Sequence, residues 1–272
     1  MDIKRVTSAL LGFPLVVIIL AFGNTYVVDI FLAFIAMLGM QEYFNAVSKE
    51  AKTVRWLGYT ACSSIALIHI IPEIFNVRLQ NEILMLILPT IMLILFLHVI
   101  ITNMKINFKD IAYTLFGIIY VIGCIIFLAL LRGMQNGRIL IWYAIIAAWG
   151  TDIFAYLIGK RFGKHKFSEV SPKKSIEGCL AGIIGAVAIA ILYTLAVNKI
   201  FDLQYSYLVI VIVTAVLSMI GQVGDFAASS IKRYVNIKDY SNLIPGHGGM
   251  LDRIDSLMFL APFAYVLLFI AL

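Results

Sequence analysis

GDFAASSIKRYVNIKDYSNLIPGHGGMLDRID, residues 224–255, is a polar island in an apolar chain. It holds four acids, four Lys or Arg residues, one histidine, one proline and four glycines, and a hydrophobic stretch lies on either side. Its charges must therefore meet water, a ligand or each other. Asp225 and Asp252 stand near its two ends, and most of the basic residues lie between them. Carboxylates hold hard cations, and Lys and Arg hold phosphate oxygens. This order of charges is what a metal-assisted phosphate site at a membrane surface needs. The plain alternative is a solvated loop whose charges only set topology.

The flanks decide the fold. Of the 272 residues, 62% are hydrophobic and 13% charged, with a mean hydropathy of +0.99. A soluble protein cannot hide that much apolar surface, whereas lipid solvates it. At ~20 residues per helix, the length allows roughly nine to ten spans with short loops. We read an all-α, polytopic membrane bundle of about nine transmembrane helices. They fall near 6–23, 25–44, 54–72, 82–101, 110–131, 139–158, 178–197, 205–224 and 255–272. No soluble domain is left over, so 1–272 reads as one membrane domain. Its N-terminal spans occupy 1–135, and a C-terminal half, 136–272, carries the polar segments. Gly23-Asn24-Thr25 makes a tight turn between the first two spans. The first span follows Lys4 and Arg5 but is long and lacks a small-x-small site, so it reads as a retained anchor. Pro14 and Pro89 are expected to kink their spans.

Orientation follows from the basic residues. With the N-terminus in the cytoplasm, all of the 21 Lys and Arg except Arg78, Arg132, Arg138 and Lys199 fall on the cytoplasmic side. The C-terminus is then external, and segment 225–255 faces the cytoplasm, where nucleotides are found. The net charge of +6 is spread over membrane-proximal loops. Topology and anionic headgroups account for it, and nucleic acid is not expected as a partner. Cys62, Cys124 and Cys179 fall within spans at no metal-ligand spacing and read as packing residues.

Polar residues inside spans are costly, so each invites a functional reading. Glu42 lies at the cytoplasmic end of the second span and fits an interfacial role as well as a site role. Asp152 is deeper, in Trp149-Gly150-Thr151-Asp152. It reads as lining a site, with a structural hydrogen bond as the alternative. His69 and His98 stand singly and are given no role. A second polar segment, GKRFGKHKFSEVSPKKSIEG at 159–178, places Lys173 and Lys174 beside a proline and before a helix start, as phosphate-binding candidates. Its other reading is a basic topological loop.

Local patterning places the motif. The span ending near Gly224 is expected to continue past Asp225, so that Asp225, Ser229 and Lys232 share a face. The chain should leave that helix near Asn236 and turn through Pro245-Gly246-His247-Gly248-Gly249, where glycines bring amides close to phosphate oxygens. A last helix should begin around Asp252, with Asp255 and Ser256 stacked above it. Helix capping is the alternative reading of Asp252 and Asp255.

The order Ser229-Ser230-Ile231-Lys232-Arg233, Lys238-Asp239, Pro245-Gly246-His247-Gly248-Gly249 and Asp252-Arg253-Ile254-Asp255 resembles the signature of phosphatidate cytidylyltransferases, also called CDP-diacylglycerol synthases. Every fixed position is filled, and a pattern this long is specific. Asp152-Ile153-Phe154-Ala155-Tyr156 and segment 159–178 are similar to further family elements, so the resemblance covers 149–256. One departure is Ser175-Ile176, where the family usually has Thr-Trp; serine keeps the hydroxyl, but isoleucine loses the indole.

The resemblance implies transfer of the cytidylyl group of CTP to phosphatidic acid, giving CDP-diacylglycerol and pyrophosphate in phospholipid biosynthesis. It implies magnesium held by Asp225 and Asp252, with Lys232 and Arg233 as catalytic cations. Lys173, Lys174, Ser229, Lys238, Asp239, His247, Gly248, Gly249, Arg253, Asp255 and Asp152 would contact substrates. CTP, phosphatidic acid and the bilayer are the implied partners, at a cell membrane with the active site facing the cytoplasm; a homodimer is left open. Two rivals stand beside this reading. One is a related CTP-using enzyme acting on another lipid phosphate or a polyprenol. The other is a transporter, for which the polar residues gather at the wrong depth and no inverted repeat is evident.

Overall fold

The computed structural model of the chain describes residues 3–75, 80–167, 171 and 174–271. Among these, all regular structure is helical, with two isolated β-bridges and no strand. The helices are α1 (Ile3–Phe22), α2 (Thr25–Ala46), α3 (Arg55–Ile65), α4 (Ile70–Phe75), α5 (Gln80–Ile101), α6 (Phe108–Gly117), α7 (Gly123–Gly133), α8 (Gly137–Ile145), α9 (Thr151–Phe162), α10 (Ile176–Phe201), α11 (Tyr207–Tyr234) and α12 (Leu251–Ala271). Short π-helical turns, Ile118–Ile122 and Ile146–Gly150, join α6 to α7 and α8 to α9. Among the described residues, six helical stretches are long and apolar enough to cross a membrane: Thr25–Ala46, Phe108–Gly133, Gly137–Phe162, Ile176–Phe201, Tyr207–Tyr234 and Leu251–Ala271. Shorter apolar helices cover Gly12–Phe22 and Leu86–Ile101.

The expected span over 54–72 is not one continuous helix. It breaks between α3 and α4, where the amides of Ala66, Leu67 and Ile68 bond to the carbonyls three residues back. The Ser63 and Ser64 hydroxyls bond to the carbonyls of Tyr59 and Ala61. Such back-bonding competes with the helix ladder. The break carries His69 to a buried acid that the sequence reading passed over: Nδ1 lies 2.7 Å from Oδ2 of Asp29.

The chain divides into two compact units, one of residues 1–129 with 237–252, the other of 130–236 with 253–272. In the first, α2 packs on α3, on α6 and on the π turn at 118–122, burying Met40, Tyr43 and Phe44. Its loops are fixed by caps. Asn24 accepts from the Val27 amide at 2.8 Å. Asn107 and Asp110 form a reciprocal capping box on α6, and Asp110 also accepts from Lys52 N at 2.6 Å.

In the second unit, α10 packs along α9 and α11. Polar pairs cross these apolar contacts, a common device where lipid offers no hydrogen bonds. Tyr143 meets Thr194 at 2.9 Å, Thr151 meets Ser218, and Gln222 donates to the Cys179 carbonyl at 3.1 Å. Leu180, Ile184, Leu192 and Leu195 form an exposed apolar stripe along α10, suited to lipid.

Candidate active site

The second unit brings three expected acids together with basic residues. Helix α11 runs unbroken to Tyr234, more than two turns past Asp225. Asp225, Ser229 and Lys232 are all partly buried, and Arg233 is exposed. Asn236, at φ 57°, takes the left-handed conformation that ends the helix. Lys174 forms an ion pair with Asp225, the two side chains being 22% and 25% exposed. The Lys174 ammonium also stands 4.8 Å from the centre of the Phe226 ring. That ring stacks on Phe167 with centroids 4.8 Å apart.

The loop before α10 is built to hold Lys174 there. Phe167 N donates to the Lys174 carbonyl at 3.0 Å, and Lys166 and Ser175 form an antiparallel bridge. The Ser175 hydroxyl caps α10 by accepting from Gly178 N at 3.1 Å. Glu177 accepts from the amides of Lys164 and His165 and approaches His165 Nδ1 at 2.6 Å. Capping thus explains what the retained hydroxyl does, while Ile176, in place of the usual indole, is exposed. Lys173 lies outside the described residues.

Asp152 is the second residue after the π turn Ile146–Gly150; such turns widen a helix and re-aim the next side chains. Its carboxylate feels the charges of Lys174, Asp225 and Arg253 and has Ser256 beside it. Asp255 is buried and feels Asp225, Lys232 and Asp152. Its Oδ1 accepts from Ser256 N at 2.9 Å. Asp152, Asp225 and Asp255 are therefore brought together with Lys174, Lys232 and Arg253 in one unit.

The first unit holds the glycine turn. Ile244 and Gly248 form an antiparallel bridge closed by two hydrogen bonds, Ile244 N to the Gly248 carbonyl and Gly248 N to the Ile244 carbonyl. Gly246 and Gly248 have φ of 77° and 86°, which residues with a Cβ rarely adopt. The amides of this turn have partners within the chain. His247 N and Gly248 N donate to the Ile244 carbonyl, and Gly249 N donates to Asp252 Oδ2 at 3.0 Å. The same oxygen accepts from Tyr240 N at 2.9 Å. Lys238 and Asp239 are exposed, and His247 is partly buried.

Glu42 is the residue whose weight the sequence did not reveal. It is 5% exposed. Its carboxylate accepts from Ser241 Oγ at 2.6 Å and from the amides of Met250 and Leu251, each at 2.8 Å. The first residues of α12 are thus anchored to α2.

Among the described residues, no group of three or more His, Cys, Asp or Glu side chains is placed to hold a metal ion. The expected metal acids fall one in each unit. What the arrangement offers chemically is partly buried carboxylates interleaved with fixed cations, a pattern suited to polyanions.

The chain matches the family model described as the cytidylyltransferase family over residues 3–271. A protein of Staphylococcus haemolyticus called phosphatidate cytidylyltransferase is 32% identical over 272 residues, covering 97% of this chain and 98% of that one. Its namesake in Bacillus subtilis is 36% identical over 178 residues, 65% of each chain. Another, in Staphylococcus epidermidis, is 38% identical over 173 residues, 63% of this chain and 64% of that one. The chain belongs to the cytidylyltransferase family.

Proposed function

We propose that this chain transfers the cytidylyl group of CTP to phosphatidic acid, giving CDP-diacylglycerol and pyrophosphate. The observation that carries the reading is the match along 98% of a protein named for that reaction. The signature at 229–255 supports it independently. A phosphatidate oxygen forms a bond to the α-phosphorus of CTP while the bond from that phosphorus to the pyrophosphate oxygen breaks. The nucleophile is already an anion, so no strong general base is required. Catalysis then consists of neutralising charge and aligning three groups.

Lys232 and Arg233 are assigned to the phosphate oxygens, as are Lys173, Lys174, Lys238 and Arg253. Ser229, Asp239, His247, Gly248 and Gly249 are assigned to substrate contact, with His247 orienting a phosphate or base edge. Asp152 and Asp255 are assigned to substrate contact as well. Magnesium usually keeps one or two carboxylates and fills its remaining positions with phosphate and water. The half-buried Asp225 is compatible with that requirement. Asp225 is therefore proposed as a metal ligand; the signature alone nominates Asp252 as the second. When bound, the ion supplies charge neutralisation at the triphosphate.

We also propose about nine spans, N-terminus inside and C-terminus outside, in the cell membrane with the site facing the cytoplasm. Lipid tails then stay in the bilayer while CTP arrives from water. Purified protein incubated with labelled CTP, magnesium and a panel of lipid phosphates tests the reading. Labelled CDP-diacylglycerol is expected from phosphatidic acid. Product from a polyprenyl phosphate alone would overturn the assigned substrate.

A further inference from the structure

We infer that Glu42 is a positioning residue for cytidylyl transfer, acting through the loop that ends at Asp252. The inference rests on the cytidylyltransferase reading. Glu42 sits in the last turns of α2, the end of a helix where a negative charge is least favoured by its own dipole. Its carboxylate is buried there nonetheless. What offsets the cost is the start of α12, where the Met250 and Leu251 amides would otherwise lack acceptors, and the Ser241 hydroxyl at the other end of the glycine turn. One carboxylate thus grips both ends of the segment 241–251.

Gly249 makes this grip possible. A Cβ there would stand 2.7 Å from Glu42 Oε2 and 2.8 Å from its carboxyl carbon. That carboxylate is pinned by three hydrogen bonds and cannot swing aside cheaply. Gly249 does not have positive φ, so close approach rather than backbone freedom is what requires glycine. The signature glycine that the sequence reading gave to phosphate therefore has a second duty: it leaves room for Glu42. From the same stretch, Gly249 N reaches Asp252 Oδ2. Glu42 and Asp252 together fix where the turn stops and the helix begins.

The test is a double-mutant cycle on kcat and KM with CTP and phosphatidic acid, alongside hydrogen exchange at the Met250 and Leu251 amides. Glu42→Gln replaces an acceptor oxygen by a donor facing donors. Gly249→Ala pushes a methyl against the same carboxylate without removing any charge. Each should lower kcat by roughly tenfold to a hundredfold with a smaller change in KM, and each should speed exchange at both amides. The double variant should be about as slow as the worse single one, because both act through one contact. Ser241→Ala removes one of the three hydrogen bonds and keeps the test readable if Glu42→Gln does not fold; about a fivefold loss is expected. Wild-type kcat in Glu42→Gln or Ser241→Ala, or losses that multiply in the double variant, would overturn the inference. Absence of CDP-diacylglycerol from the wild type would instead remove the reading on which it rests.

Discussion

The Lys174 ammonium is paired with the Asp225 carboxylate and lies against the face of Phe226. The residue expected to bind phosphate and the residue expected to bind metal thus neutralise each other. A cation arriving at Asp225 must share the carboxylate with Lys174 or displace it. A displaced Lys174 is released towards whatever anion accompanies the metal, and a triphosphate is such an anion.

Replacing Lys174 with methionine keeps the packing on Phe226 and removes the competing charge. In Lys174→Met, manganese alone should bind more tightly, as read by its paramagnetic resonance signal without nucleotide. The KM for CTP should rise at the same time, by roughly tenfold or more, since a charge-assisted hydrogen bond contributes ~1.5–3 kcal/mol. Movement of the two quantities in opposite directions is the expected signature. If neither changes, the pair is only a structural contact.

The two catalytic cations assigned to α11 should not be equal. Lys232 is partly buried and its charge reaches Asp255, whereas Arg233 is exposed. Lys232→Ala should therefore lower kcat/KM by roughly tenfold to a few hundredfold, and Arg233→Ala by less. Neither should change expression or melting temperature, because neither fills a packed apolar site. Steady-state kinetics that rank Arg233→Ala as the more damaged variant would invert the assignment.

Topology is open to direct measurement. Single cysteines introduced at Asn242 in a cysteine-free background should react with an impermeant maleimide only in inside-out vesicles, and cysteines at Asn136 only in right-side-out cells. The expectation comes from the distribution of Lys and Arg. Labelling of the Asn242 position from outside would reverse the orientation and separate the signature from cytoplasmic CTP.

Much of the motif was legible because its signals are local. The continuation of α11 past Asp225, its end by Asn236 and the start of α12 near Asp252 follow from side-chain spacing, the positions of the glycines and the turn chemistry. That Ser175 caps α10 was not among those readings, which noted only its hydroxyl, although a cap acts within three residues. Glu42 was not, because its partners lie about two hundred positions away and no periodicity connects an acid at a helix end to a loop so remote. The break in the third apolar stretch was hidden for another reason. Hydropathy counts Ser63 and Ser64 as tolerable in a span, yet their hydroxyls bond to nearby carbonyls where α3 ends. The π turns leave no local mark either, and one of them sets the position of Asp152.

The last prediction separates the two acids nominated for magnesium. Asn is nearly isosteric with Asp and removes the charge. At Asp225 the change leaves Lys174 with a neutral neighbour and breaks no backbone hydrogen bond seen in the structure. Asp225→Asn should therefore remove nearly all activity and the response to added magnesium while the melting temperature stays near wild type. Asp252 differs, because its Oδ2 accepts from both Tyr240 N and Gly249 N. Asn can keep those bonds only with its carbonyl oxygen in that place, and as a neutral acceptor it makes them weaker. Asp252→Asn should lose activity and also melt lower, since a hydrogen bond to a charged group contributes ~1.5–3 kcal/mol and a neutral one less. Hydrogen exchange at the Tyr240 and Gly249 amides should rise in Asp252→Asn and remain unchanged in Asp225→Asn. Asp239→Asn is the comparison: Asp239 is exposed, and the loss should be smaller in every readout. Full activity with unchanged magnesium dependence in Asp225→Asn would remove that residue from the metal site. If Asp252→Asn lost stability yet kept its magnesium response, its carboxylate would be a fastening of the glycine turn and not a ligand.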